Sequence, residues 1–80
     1  MIIHRENVIT ILSEQLGQKA HQLADETRLA DDLFLDKLDY HEIRVALENT
    51  FGIELADPDV ESAATVGDIV ALLIEKAKSV

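Results

Sequence analysis

Residues 36–52 read DKLDYHEIRVALENTFG, and this stretch carries both the start and the stop of one amphipathic helix. Asp36 is placed to cap the free N–H groups of the first turn. Asp39, three residues on, adds a favourable charge near the positive end of the helix dipole. Leu38, Ile43, Ala46, Leu47 and Phe51 are expected to form one buried stripe. Gly52 ends the helix, because glycine adopts the left-handed conformation that follows a last turn.

Working outward toward the N-terminus, Val8, Ile11, Leu12 and Leu16 recur at helical spacing and Gly17 caps them, which predicts a helix over about residues 4–16. A connection of roughly twenty residues then separates the two helices, long enough to suggest a functional loop. Leu23, Leu29 and Leu33 are expected to pin it to the bundle. Toward the C-terminus, Asp57-Pro58-Asp59 punctuates the chain, and a short turn of helix is expected around 59–63. Thr65 with Asp68 three residues later resembles a capping box, Asp standing in for Glu or Gln. From there Val66, Ile69, Val70, Leu73, Ile74 and Ala77 predict a last helix over about 66–78. No segment reads as a credible strand. The expectation is an all-α bundle of four helices, three longer and one short, forming a single domain over residues 1–80.

Composition narrows the function. Eighty residues make one small core, and 48% hydrophobic residues are enough to build it despite a net charge of −9. Sixteen carboxylates against seven Lys and Arg disfavour nucleic acid, whose phosphates need clustered cations. The same balance favours protein partners with basic patches. The absence of cysteine removes disulfides, thiolate metal sites and thiol nucleophiles, and is compatible with the cytoplasm. The N-terminus lacks a long apolar run of the secretory kind, and no run approaches the length needed to cross a bilayer. A monomer is the simplest expectation for such an acidic domain.

Catalytic chemistry is hard to find. His4, His21 and His41 lie in separate segments with no pair at i, i+4, so no zinc site is expected. The acidic run Asp31, Asp32, Asp36 and Asp39 lacks the turn glycine and terminal Glu of a calcium loop. There is no glycine-rich phosphate loop, and Ser13, Ser62 and Ser79 have no histidine base nearby in the sequence. An enzyme is not expected.

The stretch from residue 29 to 73, LADDLFLDKLDYHEIRVALENTFGIELADPDVESAATVGDIVALL, resembles the acyl carrier proteins. In that family an acidic loop leads to Asp-Ser-Leu, then to a helix ending in Phe-Gly-Ile, an acidic proline-containing turn and a last helix opening on Thr-Val. The Asp36-x-Leu38-Asp39 and Phe51-Gly52-Ile53 steps carry the match, the register holds without gaps from Leu29 to Leu73, and ILSEQLG extends it into the first helix. The resemblance implies a four-helix bundle with a long loop between helices one and two. It implies a carrier of acyl or related intermediates, held as thioesters on a 4'-phosphopantetheine arm. That arm is joined by a phosphodiester to a serine at the start of the second helix, where a helix N-terminus stabilises phosphate. Asp36, position 37 and Leu38 would make the attachment step. Asp39, His41, Glu42, Arg44, Val45 and Glu48 would dock on synthase or acyl-transfer enzymes.

At the serine position stands Lys37. A lysine amine cannot make the serine phosphodiester, and no Ser or Thr occurs between Arg28 and Glu48 to replace it, so no cofactor is expected as written. Nor does the helix favour lysine there: an ammonium near the positive end of the dipole is unfavourable by about 0.3–1 kcal/mol, which Asp36 and Asp39 offset. Phe34 stands where many family members have glycine. It is expected to fold onto the core; the alternatives are that it fills the space sheltering an acyl chain, or that it anchors a partner. Lys37, His41 and Arg44 fall at i, i+4, i+7 on one face, expected to be a solvated face balanced by Glu42 and Glu48, with a small anion site or an altered partner surface as the alternatives.

Three functions follow from these residues. The first is an acyl-carrier-like docking module without an arm. The second is an authentic carrier, of fatty acid, polyketide or related synthesis, represented by a Ser-to-Lys form. The third is an interaction module with its own partner. A chemical role for Lys37 as an acylated or phosphate-binding amine is disfavoured, since a working amine nucleophile needs burial or nearby cations and the carboxylates beside Lys37 repel an anion.

Overall fold

The computed structural model describes residues 2–78; Ser79 lies outside them. Four α-helices follow in order, α1 (Arg5–Leu16), α2 (Lys37–Phe51), α3 (Asp57–Glu61) and α4 (Val66–Lys78). One 3-10 turn, Ala20–Gln22, sits in the long loop between α1 and α2. Among the described residues there is no strand, only an isolated bridge between Arg28 and Thr65.

Both expected glycine stops are present, Gly17 at φ +65° and Gly52 at φ +67°, each donating its N–H back to a carbonyl of the last turn. The helices close on an apolar centre to which every element contributes. Val8 and Leu12 come from α1, Ile43 and Leu47 from α2, Val60 from α3, and Ile69 and Leu73 from α4, all essentially without exposure. Each such side chain contributes about 1.5–3 kcal/mol by leaving water. No polar or charged side chain is buried among the described residues, so the core carries no desolvation penalty of that kind.

Two expectations need correction. The buried stripe of α2 is narrower than five residues: Ile43 and Leu47 are buried, Ala46 and Phe51 are half-buried, and Leu38 is 63% exposed. Leu38 lies five residues from Ile43, and at 3.6 residues per turn that separation turns it roughly 140° away from the core. The short helix begins at Asp57 rather than residue 59, because Pro58 sits in its first turn, where the missing N–H has no helical partner to lose.

The long loop is stitched to the start of α4. Leu29 N–H donates to the Ala64 carbonyl at 3.0 Å, Val66 N–H to Thr27 at 2.9 Å and Gly67 N–H to Asp25 at 2.9 Å. A Cβ at position 67 would lie 3.1 Å from the Asp25 carbonyl oxygen, so the close approach depends on glycine. Leu23 and Leu29 are buried and Leu33 packs against the core, so the loop is pinned where the leucines predict.

Candidate functional site

The entrance to α2 is held by a reciprocal cap. Asp39 N–H donates to the Asp36 carboxylate at 2.9 Å, and Asp36 N–H donates to the Asp39 carboxylate at 3.0 Å. Two orphan donors of the first turn are thereby satisfied by two charges that also suit the helix dipole. Asp39 therefore does more than supply a favourable charge. Lys37, the first helical residue, points into solvent beside this cap and forms no ion pair with any described residue. No serine or threonine lies from residue 29 to 47.

The turn before the cap is tightly wound. Arg28 N–H donates to the Asp32 carboxylate at 2.8 Å, the Arg28 guanidinium pairs with Asp31 at 2.9 Å, and Phe34 and Leu35 donate to the carbonyls of Ala30 and Leu29. This winding places Phe34 at φ +56°. The expectation that Phe34 folds onto the core is overturned, because its side chain is 82% exposed. The left-handed backbone directs it outward while Leu33 and Leu35 on either side pack against the core. An L-residue in this conformation costs about 1–2 kcal/mol relative to its preferred regions, whereas glycine enters it freely.

Leu38, His41, Glu42 and Val45 follow at i, i+3, i+4 and i+7 and share one exposed face of α2. His41, Glu42 and Val45, with Ala46, Asn49 and Gln15 of α1, line an open groove of about 440 Å³. Farther round α2, Arg44 and Glu48 are engaged internally. The Arg44 guanidinium donates to Glu48 and to Asp57 of α3, and the other Glu48 oxygen accepts the Leu55 N–H at 2.9 Å. His41 Nδ1 lies 3.3 Å from both Asp57 oxygens. Arg44 is thus not part of a solvated face. It ties α2 to α3, with Asp57 rather than Glu42 as the second counter-charge. The hydrogen bond from Arg44, aided by His41, holds the Asp57 carboxyl below its usual range despite an opposing contribution from partial desolvation.

Asp57 is the residue that sequence reasoning missed in this cluster. Its one visible signal was a carboxylate beside Pro58, which reads as turn chemistry. Tyr40, also unremarked in the sequence, faces a second open cleft of about 310 Å³ together with Arg28, Asp31 and Glu61. Partial burial, with Glu61 and Asp31 nearby, raises its phenol above the usual value. Among the described residues no three His, Asp or Glu side chains come together as metal ligands. No helix there is long and apolar enough to cross a membrane.

Comparison with known proteins places this geometry in context. A family model described as a phosphopantetheine attachment site matches residues 6–73, from the first turn of α1 to Leu73 within α4. An acyl carrier protein of Thermotoga maritima is 41% identical over 69 residues, covering 86% of this chain and 85% of that protein.

Proposed function

The chain belongs to the acyl carrier protein family, whose members are carriers and not enzymes, and from that premise we propose a docking module of acyl and thioester biosynthesis that holds no arm at the family's attachment position. The observation that carries this reading is Lys37 at the first position of α2, directly after the Asp36 cap. The residues present do not fit a phosphodiester-linked 4'-phosphopantetheine: the side chain at that position is an amine, and no serine or threonine stands from residue 29 to 47. The partners are synthase or acyl-transfer enzymes with basic patches, attracted by an acidic chain of net charge −9. Asp39, His41, Glu42 and Val45 form the contact face, while Arg44 and Glu48 position it by fixing α2 against α3. The chain acts as one domain over residues 1–80, as a monomer, in the cytoplasm, without nucleic acid.

A second reading draws on the intact cap. Asp36 and Asp39 keep the entrance to α2 capped, and a helix N-terminus suits an attached phosphate, as it would in an authentic carrier represented by a Ser-to-Lys form. A non-carrier module with its own partner is the third. One experiment separates the two carrier-derived readings from the third. The chain and its Lys37→Ser variant are incubated with coenzyme A and a broad-specificity phosphopantetheinyl transferase, and intact masses are recorded. Gain of the arm by the variant alone is the expected result. Loading of neither favours a partner outside the carrier enzymes. Loading of the lysine form itself sinks the assignment of position 37.

A further inference from the structure

Five large apolar side chains are exposed among the described residues, Ile2, Phe34, Leu38, Val45 and Ile74, and three of them cluster at the approach to α2 and along its outer face. Phe34 and Leu38 are four residues apart, so their backbones lie within about 14 Å. Leu38 and Val45 share a helix face two turns long. Phe34 is the unusual member, since it is both the most water-exposed aromatic of the chain's described part and the one non-glycine residue there with positive φ. A bulky residue held in that conformation, with no core contact to compensate, points to a use outside the folded chain.

We infer that Phe34, backed by Leu38, is an anchor that inserts into an apolar pocket with a basic rim on a protein partner. The charges around it choose that occupant. Residues 31–42 carry five carboxylates, Asp31, Asp32, Asp36, Asp39 and Glu42, against Lys37 as the one lysine or arginine. A rim of Lys and Arg complements this surface. An anionic lipid surface is repelled by it, and a second copy of a chain of net charge −9 is repelled as well. Hot-spot anchors are commonly aromatic and sit at the centre of a desolvated contact, which is the role an outward-facing phenyl ring fills here. The inference rests on the reading of this chain as a docking module and adds the partner chemistry to it.

The test selects phage-displayed peptides on the immobilised full chain, then titrates the enriched sequences, as synthetic peptides, against the wild type and Phe34→Gly. The expected sequences combine apolar residues with Lys or Arg, and Phe34→Gly weakens their binding at least tenfold. Its melting temperature stays the same or rises, because glycine accepts the left-handed backbone; a residue with a merely structural role would lower it. Basic peptides bound equally well by both chains overturn the anchor, as does a selection that enriches nothing dependent on Phe34. Phe34-dependent dimerisation in sedimentation, or Phe34-dependent binding to phosphatidylglycerol vesicles, reassigns the side chain and overturns the inference too. The arm-loading assay keeps the two readings apart. A loaded Lys37→Ser variant without Phe34-dependent peptides removes only the anchor, and Phe34-dependent peptides on a variant that stays unloaded remove only the carrier-enzyme reading.

Discussion

At the start of α2 the cap pair is Asp36 and Asp39, and at the start of α4 it is Thr65 and Asp68; in both, each side chain accepts the other residue's backbone N–H. The residues between the cap partners differ in every respect. In α4 they are Val66, fully buried, and Gly67, pressed on the Asp25 backbone. In α2 they are Lys37 and Leu38, both exposed. The same local chemistry thus starts one helix inside the fold and the other at its surface. The first two residues of α4 are determined by packing. Packing constrains those of α2 far less, because both side chains face solvent.

The strongest way to break this comparison is to exchange the buried and the exposed position. Val66→Lys places an unpaired ammonium in a site without exposure and is expected to cost about 3 kcal/mol or more, enough to unfold much of a small domain in urea titration. A mild effect would mean that the start of α4 is as free as that of α2. The caps themselves should differ less. Asp68 accepts from both Ala64 and Thr65, whereas Asp39 accepts from Asp36 alone. Asp68→Ala is therefore expected to lose about 1–2 kcal/mol and Asp39→Ala about 0.5–1, compared by chemical denaturation.

A smaller effect lies in the acid limb of stability, which sharpens the account of how α2 is positioned. The Asp57 carboxyl is held below its ordinary value of 3.8, so it favours the folded state above that pH. The contribution is lost as pH falls below 3.8 through the still lower folded value. Melting temperatures recorded from about pH 5 to about pH 3 should fall more steeply in the wild type than in Asp57→Asn. Equal slopes would remove Asp57 from the tie between α2 and α3. The least change is expected from Lys37→Ser, within about 0.5 kcal/mol of the wild type, since the side chain is exposed and forms no ion pair with a described residue.

The helices and their caps were legible in the sequence because each rests on residues within one turn of one another. Gly17, Gly52, Asp36 and the Thr65–Asp68 pair all stand where local reasoning puts them. Leu38 was misread as core although its angular distance from Ile43 was already implied by the helical period, so counting apolar residues had displaced counting degrees. Phe34 is a different kind of miss. Nothing in its own identity announces a positive φ, and only the winding of residues 28–35 imposes it. The Arg44 tie escaped for a third reason: Asp57 and Leu55 come beside Arg44 only when the chain reverses after Gly52. The assignment of position 37 rests on register alone, and the arm-loading measurement decides it.

The stitching of the loop to α4 has a consequence for motion. Leu29, Val66 and Gly67 each donate to a carbonyl far away in the chain, across the same seam. All three bonds run between the loop and the capped start of a core helix, so parting that seam would free the three amides together. Their deuterium uptake should therefore be slow and shared, one opening event for all three, whereas the amide of Lys37 should exchange on its own. On that expectation the long loop before α2 moves with the body of the protein, and the entrance to α2 moves with it.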